Sequence, residues 1–237
     1  MNTSSSGLVR WHLEFAKVIG CVSCTRADDP NLLRDSGENV PQPGYIGAGY
    51  EGTGLLLVGQ NPGLTIPSTA AKDLRCFAAL SALRAERTEQ RYAELQAILL
   101  DLIPDRPVQR RYFPLKECEL GLEDFACCNL VRCRTGKRGE EGRLENTPRK
   151  GHVPATCNRM HFGPWLEMLK PSCVVFIGHW ECDHGGSTAC DERGICYEAV
   201  NRGHLFGPER AANRSAVVDF VRRHVRSARG MTSGSIA

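Results

Sequence analysis

No apolar run in this sequence approaches the roughly 20 residues needed to span a bilayer, and residues 1–10 lack the hydrophobic stretch of a secretory leader. A membrane partner is therefore not expected, and the chain reads as cytoplasmic. Its twelve cysteines then count as free thiols or metal ligands, because a disulfide scaffold belongs to short secreted chains. A strong net charge is also missing, since the formal balance is only +3. That mild figure hides basic clusters at Arg106, Arg110 and Arg111, at Arg132, Arg134, Lys137 and Arg138, and at Arg222 and Arg223. Such clusters suit a polyanion, and they suit a merely solvated surface as well.

What is present is enough apolar residue to fold. With 237 residues, 41% hydrophobic and 24% charged, the chain should form one α/β domain, with a core over about 11–226 and frayed Ser/Gly-rich ends. Trp11 to Ile19 has helical spacing, and Asp28 to Thr53, rich in Pro, Gly and Asn, reads mostly as loop. Leu55 to Val58 is a continuous apolar run stopped by Gly59, the pattern of a buried parallel strand. Ala70 to Leu102 reads as one broken helix or two consecutive ones, ending before Pro104. Phe125 to Val131 and Cys173 to Gly178 are further strands, and Cys157 to Leu169 is a helix stopped by Pro171. Asn213 to Val225 closes the chain as an amphipathic helix. Alternation of this kind predicts a central parallel sheet covered on both faces, with ligands at the strand C-terminal ends.

Two features carry chemistry. Cys21 and Cys24 form a C-x2-C pair, followed far along the chain by Cys133 in CNLVRCR and Cys157 at the head of a helix. Between them lies LLLVGQNPG, a strand running into a glycine-turned polar loop. Four thiolates are the usual ligand set of a [4Fe-4S] cluster, and the spacing matches no familiar zinc finger; a structural zinc or plain buried thiols are the other readings. Cys127 and Cys128, adjacent on a strand, should face opposite sides and pack, as should Cys76, Cys118 and Cys173. His179, Cys182, His184, Cys190 and Cys196 lie in a Gly-rich stretch that could hold zinc.

The order of C-x2-C, VGQNPG, NLVRCR, a Pro-containing loop, a Cys-headed helix, KPSCVVFIG and a late histidine loop resembles the iron-sulfur branch of the uracil-DNA glycosylase superfamily, over roughly residues 15–225. The resemblance implies a three-layer α/β/α sandwich, a [4Fe-4S] cluster on Cys21, Cys24, Cys133 and Cys157, and a flipped pyrimidine as substrate. Asn61 stands where the mismatch-specific branch of that superfamily has an asparagine that positions water. Gln60 replaces the glutamate of the iron-sulfur branch's GEAPG, which takes a carboxylate out of the mechanism. His204, in GHLFGP, matches the late histidine that donates to the base oxygen, although the usual HPS or HPA is absent. Leu205 and Phe206 then become candidates for the wedge that holds the duplex open.

Asn129 matches the base-recognising asparagine, whose amide offers both a donor and an acceptor. Gly63 leaves open the space in which the most uracil-selective branch has a tyrosine. In the loop between Arg134 and Pro154, Glu145 replaces the histidine by which a crosslinking branch attacks the sugar, so covalent trapping is not expected unless His152 substitutes for it. Phe77 is the nearest candidate for an aromatic that stacks on the base. No lysine sits in the motif loops, which argues against lyase chemistry. The expectation is a monomeric, monofunctional DNA glycosylase acting on duplex or single-stranded DNA with a flipped pyrimidine, uracil first. Removal of a modified cytosine such as glucosylated hydroxymethylcytosine in antiviral defence, or a noncatalytic iron-sulfur DNA-binding protein, are the alternatives.

Overall fold

The structure, a computed structural model, describes residues 11, 14–24, 41–60, 62, 70–102, 113–133, 152–200 and 210–232. In chain order the elements are α1 (residues 14–19), β1 (Tyr45–Ile46), α2 (Tyr50–Thr53), β2 (Leu55–Gly59), α3 (Ala70–Ala85), α4 (Glu89–Leu102), β3 (Phe125–Asn129), α5 (His152–Cys157), α6 (Gly163–Leu169), β4 (Cys173–Phe176), α7 (His179–Glu181), α8 (Ser187–Asp191), β5 (Cys196–Ala199) and α9 (Arg210–Thr232).

The five strands form one sheet in the order β1-β3-β2-β4-β5. β2, β3, β4 and β5 run parallel, while β1 lies antiparallel on the edge of β3. The apolar run LLLVG is the middle strand, as expected of a segment buried on both sides. Alternate residues divide between two cores. Leu56, Val58, Ala126, Cys128, Val174 and Phe176 pack with Phe15, Leu80, Tyr92, Leu95, Trp165 and Leu166. Leu55, Leu57, Phe125, Cys173 and Val175 face the other way, against Val217, Phe220 and Val221 of α9. Cys127 and Cys128 separate as their adjacency requires, Cys128 into the first core and Cys127 against the second.

The boundaries have local causes. α3 and α4 are two helices, and the second is capped by Thr88, whose hydroxyl accepts from the Arg91 amide at 3.3 Å. α6 starts with a proline in its first turn and stops at Lys170, which takes a left-handed conformation (φ 48°) just before Pro171. α5 passes into α6 through a π-helical turn, Asn158–Phe162, so the helix expected from Cys157 begins at His152 instead. Between α7 and α8 the chain kinks at His184 and Gly185, the latter at φ +97°.

Two strands correct the sequence reading. β1 lies within the stretch read as loop, and β5 within the stretch read as a Gly-rich zinc candidate. β1 has two residues, and β5 is exposed or half-buried throughout (CYEA). Neither has an apolar pattern of its own, and each is a strand because a neighbour's backbone offers it a ladder. Among the described residues, no helix is long and apolar enough to cross a membrane.

Candidate active site and thiol cluster

The direction of strand progression reverses at β2: the chain goes from β2 to β3 on one side, then crosses to β4 on the other. In an open α/β sheet, such a reversal leaves a crevice at the strand C-terminal ends. β2 and β3 end there in register, Gly59 opposite Asn129. The pairing continues beyond the strands, with Leu130 N–H donating to Gly59 O at 2.8 Å and Val131 N–H to Gln60 O at 2.9 Å. The Gln60 loop and the NLVRC segment are therefore zipped together.

Asn129 and Gln60 thus meet at one edge. The Asn129 side chain lies across Gly59 so closely that a β-carbon there would stand 2.6 Å from Oδ1. A side chain at 59 would therefore displace the Asn129 amide, a constraint that its place in a turn did not reveal. Pro62 is buried. Asn61, Gly63, His204, Leu205 and Phe206 lie outside the described residues, as do Glu145 and most of the loop that contains it. His152 opens α5, exposed, with Nε2 3.3 Å from Thr156 Oγ1. Phe77 is part of the first core.

Cys24, Cys133 and Cys157 come together in a third buried cluster with Val131 and Val153, and Trp180 packs against it. Cys21 is partly buried at the end of the same short segment. Past β3 the chain keeps its two-residue period: Leu130 turns into the first core, while Val131 and Cys133 face the thiols. Cys157 is hydrogen-bonded to Cys24, and this holds its thiol below the ordinary range; burial opposes the shift, and the Arg132 amide, donating to the sulfur, assists it.

Among the described residues no three His, Cys, Asp or Glu side chains form a ready-made metal site. In the His179–Cys196 stretch the reason is visible. His184 stacks on Trp180 at 4.0 Å with its Nδ1 2.8 Å from Trp180 O, Cys190 is fully buried, and Cys196 is exposed on β5. Cys24, Cys133 and Cys157 share one buried cluster, with Cys157 hydrogen-bonded to Cys24. Three buried thiols and a fourth three residues from Cys24 in C-x2-C are the donor type of an iron-sulfur centre, but among the described residues they do not form a group that could hold a metal.

Arg132 reads from the sequence only as part of a basic cluster. It is fully buried. Its Nη1 donates to Pro43 O at 2.6 Å and its guanidinium lies 4.4 Å from the centre of the Trp165 ring. Among the described residues, Nε and Nη2 have no partner, and Gln42 Nε2, Trp165 Nε1 and His161 Nε2 are likewise buried and unsatisfied. His161 is pushed down to about 4 by burial and by the charge of Arg132, so it is neutral at pH 7. The one sequence signal was an arginine set between Val131 and Cys133, where a surface residue would be out of place. No protein-family model and no curated protein matches the chain.

Proposed function

We propose that this protein is a monofunctional DNA glycosylase on the three-layer α/β/α scaffold of the uracil-DNA glycosylase superfamily, flipping a pyrimidine and cleaving its N-glycosidic bond with water. The observation that carries this reading is the seat of Asn129, at the C-terminal edge of the sheet, against Gly59 where the GQNPG loop departs. The reversal of strand order at β2 supports it, because ligands bind at that edge in open α/β sheets.

Each residue then has a task. The Asn129 amide presents a donor and an acceptor to the edge of an extruded uracil. As the bond between base nitrogen and sugar carbon breaks, its electron pair goes to the base and positive charge grows on the sugar. His204 donates to the base oxygen where that negative charge collects. Asn61 orients the water whose oxygen bonds to the sugar carbon. An amide does not take the water's proton at neutral pH, and Gln60 provides no carboxylate, so the water's proton passes to solvent and the rate depends on electrostatic stabilisation of the departing base. Leu205 is the candidate wedge. Cys21, Cys24, Cys133 and Cys157 are the residues that would hold a [4Fe-4S] cluster. Bound there, it would staple the N-terminal segment to the NLVRC strand end and to α5, fixing the edge that presents Asn129.

The test is base release from duplexes containing uracil, a thymine mismatch or glucosylated hydroxymethylcytosine, read by mass spectrometry of the freed base. Uracil release that falls about 100-fold in Asn129→Ala supports the proposal. Tight duplex binding with no base freed from any substrate would overturn it.

A further inference from the structure

We propose that Arg132, Gln42, Trp165 and His161 hold a small inorganic anion of halide size, bound by N–H groups alone beside the first core. The site stands apart from both the glycosylase reading and the iron-sulfur reading. Contacts on the backbone and the rings gather the four residues. Arg132 Nη1 donates to Pro43 O at 2.6 Å, and the Gln42 amide, one residue earlier, donates to Arg132 O at 2.9 Å. The guanidinium lies 4.4 Å from the centre of the Trp165 ring. His161 stands four residues before Trp165, where the π-helical turn runs into α6, and that spacing sets both on one side of the helix. Gly44 packs close against the same group: a β-carbon there would stand 2.8 Å from Trp165 Cη2 and 3.0 Å from Cys128 Cβ.

The chemistry of the set is one-sided. Arg132 Nε and Nη2, Gln42 Nε2, Trp165 Nε1 and His161 Nε2 are buried and, among the described residues, without a partner. Guanidinium, indole and amide nitrogens only donate, and the neutral His161 joins them in the tautomer with its proton on Nε2. Arg132 and Trp165 are 0% exposed. An unpaired charge taken out of water costs several kcal/mol, and one carbonyl and an aromatic face offset only part of it. Ordered water would accept from the donors but would leave the positive charge uncompensated. Burial pushes the Cys128 thiol up against the pull of Arg132, so that neighbour stays neutral. A halide supplies the missing charge, accepts from several N–H groups at once and brings no donor of its own.

The experiment uses the full chain, purified throughout in sodium gluconate, with chloride and bromide added as probes at constant ionic strength. The thermal unfolding midpoint should rise with halide, by about 4 °C at about ten times the apparent Kd. In Arg132→Met that rise disappears. Trp165→Phe keeps an aromatic face for the guanidinium and removes one donor, so the apparent affinity should weaken about tenfold. Should Arg132→Met fail to fold, Trp165→Phe and Gln42→Leu are read in the same way. No difference between halide and gluconate in the wild type, or a rise of equal size in every variant, overturns the proposal. Base release and iron content play no part in this readout, so its failure leaves the proposed function where it stands.

Discussion

Cys173 and Cys190 are fully buried in the sheet's two cores, and Cys157, at the strand ends, is nearly as deep at 3% exposed. Burial pushes the first two thiols up to about 12. Cys157 goes the opposite way, because Cys24 and the Arg132 amide hydrogen-bond to it. The same contrast separates the arginines. On the outer side of α9, Arg214 and Arg222 pair with Glu117 and Glu119 in reach of solvent, whereas Arg132 is buried, with Nη1 on Pro43 O and, among the described residues, no acceptor for Nε and Nη2. Depth alone makes a thiol inert or an arginine costly. What is packed beside it decides whether the site favours negative charge.

The comparison can be broken most directly at the thiols. Cys133→Ser or Cys157→Ser should abolish iron and sulfide retention in protein prepared without oxygen, while Cys173→Ala leaves both intact and changes stability by about 1–2 kcal/mol in denaturant unfolding. Equal iron loss from all three variants would erase the distinction between the two classes of cysteine.

A sharper probe of the strand-end region is Gly59→Ala. The added methyl carbon would stand 2.6 Å from Asn129 Oδ1, so the amide must move. Base release should fall about 100-fold, as expected for a displaced positioning group, while unfolding and iron content stay near wild type. Activity equal to wild type would detach Asn129 from the chemistry.

His161 tests the same region through pH. Its folded pKa, about 4, lies below the ordinary 6.5, so between those values the unfolded chain takes up a proton that the folded one does not. Stability is full above pH 6.5 and declines as pH falls toward 4, by up to roughly 3 kcal/mol. Unfolding curves at pH 7 and pH 4.5 should show that loss, and His161→Phe should remove much of it. The smallest effect belongs to the surface: Glu117→Ala, which frees Arg214, should cost under about 1 kcal/mol in the same measurement.

The central part of the sheet could be read directly. LLLVG, FACCN and CVVF are short apolar runs bounded by Gly, Pro or polar residues, and a parallel strand buried on both faces leaves that pattern without help from its neighbours. The amphipathic α9 and the α3–α4 break were equally local. β1 and β5 were not, because two residues, or one exposed and three half-buried ones, have no periodicity to show.

Cysteine identity and the C-x2-C spacing marked the candidates, but a thiol's chemistry depends on neighbours far away in the chain. Cys24, Cys133 and Cys157 meet only after the β3 end and α5 have been brought to the N-terminal segment. The residue order set which strands form and where the polar loop departs, since those follow from short-range patterns. The close approach of Asn129 to Gly59, the burial of Arg132 and the lowered thiol at Cys157 arose from folding, because close approach and desolvation are properties of pairs that the chain holds tens of residues apart.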